Sequence, residues 1–381
     1  MQILGAAGSD LAALSWLFDS PYGVPATSLS RRDRAWVFNM TSVALRAQGR
    51  LQEALPAMRA SLRIGEEAQD WTNAAIAGSV LSDTELLTGQ IVAAAATAEA
   101  AVALADRAKN SFQMLVGRAT QAAALHASGA WEGAASLFAD AERLEMVLNP
   151  QAPLLRSGRG YRYCNLLLSM GRAAEARDRA AQTIVIARRD NWVLHIALDS
   201  LTLGCANLAL ALQSLPNGAS PKKTCGDACA AAGKLDEAVE GLHASGQSEE
   251  VPRGHIARAA FRRAIGDWDG AKRDLNAAKE IAEPGLMRPY WCDCALEGAR
   301  LALARREAFA PLNGLVERSP PPPVLPDPDA AAALKEEARK ELDVARKLIA
   351  ECGYHRRDEE LAELDAVVAS GRRFADLPPR V

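Results

Sequence analysis

The stretch 48-QGRLQEAL-55 sets a glycine at Gly49, an apolar residue two places later at Leu51 and a small residue at Ala54. The same arrangement returns in 88-TGQIVAAA-95 (Gly89, Ile91, Ala94) and in 128-SGAWEGAA-135 (Gly129, Trp131, Ala134). Two further copies are 170-MGRAAEAR-177 (Gly171, Ala173, Ala176) and 265-IGDWDGAK-272 (Gly266, Trp268, Ala271). The first four glycines are 40, 40 and 42 residues apart, a period that signals stacked helical hairpins. A glycine ends one helix where a left-handed residue is needed. The alanine five places on lies in the first turn of the next helix, where two backbones approach closely. The residue between them is expected to plug the corner.

The flanks agree. Upstream, 36-WVFNMTSVALRAQ-48 and 112-FQMLVGRATQAAALHAS-128 space apolar groups three and four residues apart; downstream, 54-ALPAMRASLRIGEEA-68 and 271-AKRDLNAAKEIAE-283 do the same. One copy is rejected. Gly233 and Ala238 in 232-AGKLDEAV-239 would insert a third helix between two clean hairpins, so one helix is expected over 224–245 with Gly233 inside it. Residues 214–223 are then a hairpin loop. The prolines of 319-SPPPPVLPDPD-329 cannot be helical and form an insertion within the last hairpin. The expected organisation is a lead-in over 1–30, a solenoid over 31–370 closed by a capping helix, and a tail over 371–381.

Composition limits the function classes. The 381 residues are 49% hydrophobic and only 5% aromatic, a helix-favouring, strand-poor mixture. With 44 basic against 47 acidic residues, mixed along the chain, no basic face for nucleic acid or an anionic membrane is expected. No apolar run is read as reaching the ~18–20 residues of a membrane span. The N-terminus has no basic lead before its apolar stretch, so a cytoplasmic protein is expected. The seven cysteines have no framework spacing and read as small apolar residues; Cys225, Cys229, Cys292 and Cys294 fall in predicted helices, not in metal knuckles. No nucleophile–base arrangement and no nucleophile elbow appear, so no catalytic residue, metal or cofactor is expected.

The five copies as a set resemble the tetratricopeptide repeat, with Phe138 and Ala141, or Leu275 and Ala278, at its further positions. The period exceeds that family's usual one, so helices or connections must be longer here. Five longer stretches (70–89, 159–180, 191–204, 251–275 and 353–364) are similar to the tetratricopeptide sensor region at the C-terminus of bacterial STAND-type NTPases, including those with NACHT modules. The resemblance implies an all-α, right-handed superhelix of about seven hairpins plus a cap. It also implies a ligand- or protein-sensing region, so the expected function is a non-enzymatic scaffold that recognises a protein, peptide or small effector and acts with a signalling ATPase. The chain itself shows no phosphate loop: 226-GDACAAAGKL-235 has the wrong spacing and Leu235 in place of the hydroxyl.

In repeats of this type the first helix of each hairpin lines the concave face. Counting back from the glycines puts Trp36, Asn39, Asp83, His126, Tyr161, Asn165, Arg253 and Arg263 there, a polar and aromatic set suited to peptide recognition. A second polar cluster is Tyr354, His355, Arg356 and Arg357, just past a helix end. The competing reading is a constitutive, co-chaperone-like assembly scaffold. An uncapped first repeat would also allow self-association.

Overall fold

The computed structural model describes residues 7–20, 22–215, 221–317, 319–378 and 380. The described residues contain sixteen α-helices and no strand beyond an isolated bridge between Phe18 and Pro25. After α1 (Ala7–Ser15) come seven antiparallel pairs: α2 (Arg31–Ala47) with α3 (Leu51–Glu67), α4 (Trp71–Leu87) with α5 (Ile91–Ala108), and α6 (Ser111–Ala127) with α7 (Trp131–Leu148). They continue as α8 (Ser157–Ser169) with α9 (Ala173–Arg189), α10 (Val193–Ser214) with α11 (Pro221–Ala244), α12 (Val251–Ile265) with α13 (Trp268–Ala282), and α14 (Arg288–Arg306) with α15 (Pro328–Cys352). The last helix is α16 (Asp358–Ser370). Consecutive helices pack on one another throughout, giving a solenoid-like all-α array.

The turns follow from local chemistry. Gly49, Gly89, Gly129, Gly171 and Gly266 all have positive φ, and the next N–H reaches back five residues to a helix carbonyl, as Arg50 does to Leu45 at 2.9 Å. The turns after α3, α5 and α9 carry no glycine. There Gln69, Lys109 and Asn191 take the left-handed conformation, and Asp70 or Asn110 caps the following helix by accepting from Asn73 N or Gln113 N.

Gly233 lies inside α11, and an added Cβ there would meet nothing, so this helix runs on as expected. Of the expected 214–223 loop, residues 216–220 lie outside the described residues, and α11 already begins at Pro221. The proline-rich insertion separates α14 from α15 but ends earlier than its sequence suggests: Asp327 caps α15 through Ala330 N, and Pro328 takes the first helical position. Within the expected 371–381 tail, the described residues 371–378 and 380 make contacts with the fold. Phe374 is buried against the last core cluster, and Arg380 pairs with Glu363 at 2.8 Å. The membrane-span expectation also needs correcting. Helix α10 is long and apolar enough by length and composition, although 61% of its window is buried inside the protein.

The array curls far enough that its first hairpins touch its last. Leu51 and Ile91, the expected corner residues, sit in this seam. Leu51 packs with Ala282, Met287 and Tyr290, and Ile91 joins the cluster formed by α14, α15 and α16. Around Gly89 an added Cβ would lie 2.6 Å from Cys352 Sγ and 2.9 Å from Arg288 Cβ. A Cβ on Gly129 would likewise lie 3.4 Å from the backbone of His355. Ions cross the seam as well: Arg46 of α2 reaches Glu249 at 3.2 Å.

Candidate functional site

Curling leaves a central cavity, with about 200 Å3 open to water, walled by the inner helices α4, α6, α8, α10, α12 and α14 and closed by the segment 354–360. Its apolar wall comes from Leu86, Ala123, Leu168, Ile256 and Ala257. Polar groups enter between these at helical spacing, because each inner helix shows one narrow face to the axis.

Tyr161 and Tyr290 flank Arg253. The guanidinium carbon lies 4.7 Å from the Tyr161 ring centre, Nε donates to Tyr290 Oη at 2.8 Å, and Glu250 pairs with the same group at 2.9 Å. Asn165 Nδ2 donates to Tyr161 Oη at 3.3 Å. Burial pushes both tyrosine hydroxyls up, so they stay protonated as donors. Across the cavity Arg162 holds Asp83 at 2.6 Å, tying α8 to α4.

A chain of ion pairs forms the far wall. Arg263 pairs with Glu297 at 2.5 Å, Arg300 with Glu360 at 2.6 Å, and Arg357 with both Glu360 at 2.8 Å and Asp293 at 2.9 Å. Tyr354 Oη donates to Asp293 at 3.2 Å. Burial alone would raise the Glu360 carboxyl, but Arg300 and Arg357 bring it down to about 2. Arg357 would be lowered by burial, and Asp293 with Glu360 holds it well above its ordinary value.

His126 Nε2 lies 3.1 Å from Ser169 Oγ, and that hydroxyl donates to the Asn165 carbonyl at 3.1 Å. The histidine is therefore the donor to the serine, not its base. Burial first, and then the charges of Arg356 and Arg357, depress the His126 pKa and keep the ring neutral. Cys205 also lines the space, but burial pushes its thiol up to about 12, which suppresses the reactive thiolate.

Among the residues expected at the concave face, Asp83, His126, Tyr161, Asn165 and Arg253 line this cavity, as do Tyr354, Arg356 and Arg357 of the second cluster. The others do not. Trp36 is 55% exposed on α2, and Asn39 on the same helix has a buried Oδ1 with no partner. The first hairpin lies at the end of the wall, and it is Arg46 that approaches Asp83, at 3.8 Å. Arg263 is buried behind the wall by its pair with Glu297. His355 points outward and pairs with Asp358 at 3.0 Å.

The residues that counting missed are Arg162 on α8 and Tyr290, Asp293, Glu297 and Arg300 on α14. Those on α14 did leave a signal, since their spacings of three, four and three place polar groups on one face of an apolar helix.

No disulfide joins the cysteines among the described residues. Cys292 and Cys294 face different core clusters, and Cys225 and Cys229 stand 4.0 Å apart as thiols. No group of three or more metal-ligating side chains is found among the described residues. A second cleft of about 460 Å3 opens at the seam beside Leu51 and Gly285, where the charges of Arg50 and Glu53 satisfy each other at 2.6 Å. No protein-family model matches the chain, and no curated protein matches it; the cavity and its charges are what speak for its function.

Proposed function

We propose that this chain is a non-catalytic recognition module, a tetratricopeptide-like superhelix whose axial cavity takes a ligand. Binding is passed to a protein partner. The sequence resemblance favours a signalling ATPase of the NACHT or STAND type as that partner.

The observation that carries the proposal is the way the cavity is built. Six inner helices and the 354–360 segment converge on one space, and they are joined there by ion pairs such as Arg162–Asp83 and Arg357–Asp293. An occupant that displaces one of these pairs moves two helices distant in sequence, which is how a bound ligand shifts a population of conformations. The neutral His126 and the protonated Cys205 favour binding over covalent chemistry.

A constitutive scaffold is the second reading. It is favoured by the apolar side chains at the end of α7, where Met146 and Val147 are 54% and 77% exposed.

Affinity capture from the native host separates the two readings. We expect the wild-type chain to retain a specific protein that an Asn165→Ala/Ala257→Phe variant loses, with helicity and melting temperature unchanged. The ring introduced by Ala257→Phe would occupy cavity space, and neither Asn165 nor Ala257 takes part in an ion pair. If both chains bring down the same proteins, recognition lies on the outer faces and the scaffold reading replaces this one.

A further inference from the structure

We propose that the cavity's ligand is a small amphiphilic oxyanion, a carboxylate or phosphate on an apolar body, with its charged end held by Arg356. The inference rests on the cavity being the binding site and adds the ligand's chemistry. It starts from a charge balance. Each carboxylate in the wall already has an arginine: Asp83 has Arg162, Asp293 has Arg357, Glu297 has Arg263 and Glu360 has Arg300. Arg253, likewise, has Glu250.

Arg356 is left over. It lines the cavity with no ion pair or hydrogen bond to any described residue; the Tyr354 ring lies 5.4 Å away, and the Glu360 carboxylate, already bonded to Arg300 and Arg357, feels its charge only at longer range. A guanidinium in a partly enclosed space is stabilised by an anion, and its fork matches carboxylate and phosphate oxygens. Other polar groups lining the cavity suit the same charge. Tyr161 and Tyr290 stay protonated, and His126 stays neutral partly because of the positive field that would attract the ligand. Leu86, Leu168, Ile256 and Ala257 offer the apolar body a wall. Because the first hairpins meet the last, this space is enclosed on its sides, which favours a small molecule over a peptide laid across an open groove.

Calorimetric titration of the full chain with 4-phenylbutyrate, phenyl phosphate and the neutral 4-phenylbutyramide tests this. The two anions are expected to bind and the amide to bind at least about tenfold more weakly, the discrimination that a charged hydrogen bond supplies. Whichever anion binds more tightly identifies the headgroup. Arg356→Gln should erase the difference between acid and amide, and Arg356→Lys should keep it in part. Circular dichroism confirms that each variant is folded; should Arg356→Gln fail to fold, the acid–amide difference in the wild type and Arg356→Lys decides. Equal binding of acid and amide, unaffected by Arg356→Gln but lost in Ala257→Phe, would overturn the anion and leave the cavity standing. If no probe binds while the Asn165→Ala/Ala257→Phe variant still loses its captured partner, the ligand class proposed here is wrong and the recognition reading survives. If the partner is kept as well, both fail.

Discussion

Glu360→Ala is expected to cost about 3–5 kcal/mol of folding stability at neutral pH, the penalty for removing one member of a buried ion pair. The carboxylate is 3% exposed and bonded to Arg300 at 2.6 Å and Arg357 at 2.8 Å. Without it Arg300, itself 8% exposed, loses its closest acid. The effect has a pH signature. A carboxyl that ordinarily titrates at 4.5 and is held at about 2 in the fold binds fewer protons folded than unfolded. Its contribution, about 3 kcal/mol, is therefore fully present above pH 4.5 and is lost as pH falls from there towards 2. Urea unfolding of wild type and variant should show a large gap at neutral pH that narrows through this acidic window. A loss below about 1 kcal/mol at neutral pH would be that of an exposed pair, and would mean the α16 cap does not bury its charges.

The second large effect belongs to Gly89. Its φ of +80° costs a residue with a side chain about 1–2 kcal/mol. Gly171, at φ +74°, carries the same backbone penalty. The two positions differ in what a Cβ would meet: nothing within 4 Å at Gly171, but Cys352 Sγ at 2.6 Å and Arg288 Cβ at 2.9 Å at Gly89. Overpacking of this kind adds roughly 1–3 kcal/mol. Gly89→Ala should therefore lower stability by about 2–5 kcal/mol, and Gly171→Ala by about half that or less. Denaturant midpoints measured side by side give the comparison. Equal losses at the two sites would show that the α4–α5 turn does not dock on α14 and α15.

The contrast between these glycines also shows how far the sequence could be read. Helix and turn positions were legible because the left-handed glycine and its returning N–H are local events, written in 48-QGRLQEAL-55 and its copies. The resemblance to the tetratricopeptide repeat implies that the first helix of each pair faces inward, and counting back from the glycines on that basis reaches Asp83, His126, Tyr161, Asn165 and Arg253. How far the array curls is not local. It depends on small rotations between successive hairpins, summed over the chain.

Leu51 and Ile91 look like any corner residue in sequence, yet they seal the first hairpins against the last. For the same reason Trp36 and Asn39, on the right helix by counting, stand off the cavity, and Arg263 is taken up by Glu297. Partners 61 and 64 residues apart, such as Asp293 with Tyr354 and Arg357, have no spacing rule that sequence reading could use. The C-terminal segment is similarly opaque, since nothing in 371–378 announces that Phe374 docks into a core.

The most direct test of the account is whether the seam exists in solution, since without it there is no enclosed cavity. Val92 is 77% exposed, yet its Cγ2 lies 3.5 Å from where a Cβ on Gly353 would stand. A photo-crosslinking phenylalanine analogue placed at position 92 should, on irradiation of dilute protein, join α5 to the peptide containing Gly353 within one chain, as read by mass spectrometry. Crosslinks confined to neighbouring residues of α4 and α5, or only between separate chains, would contradict it and leave an open array with no walled site.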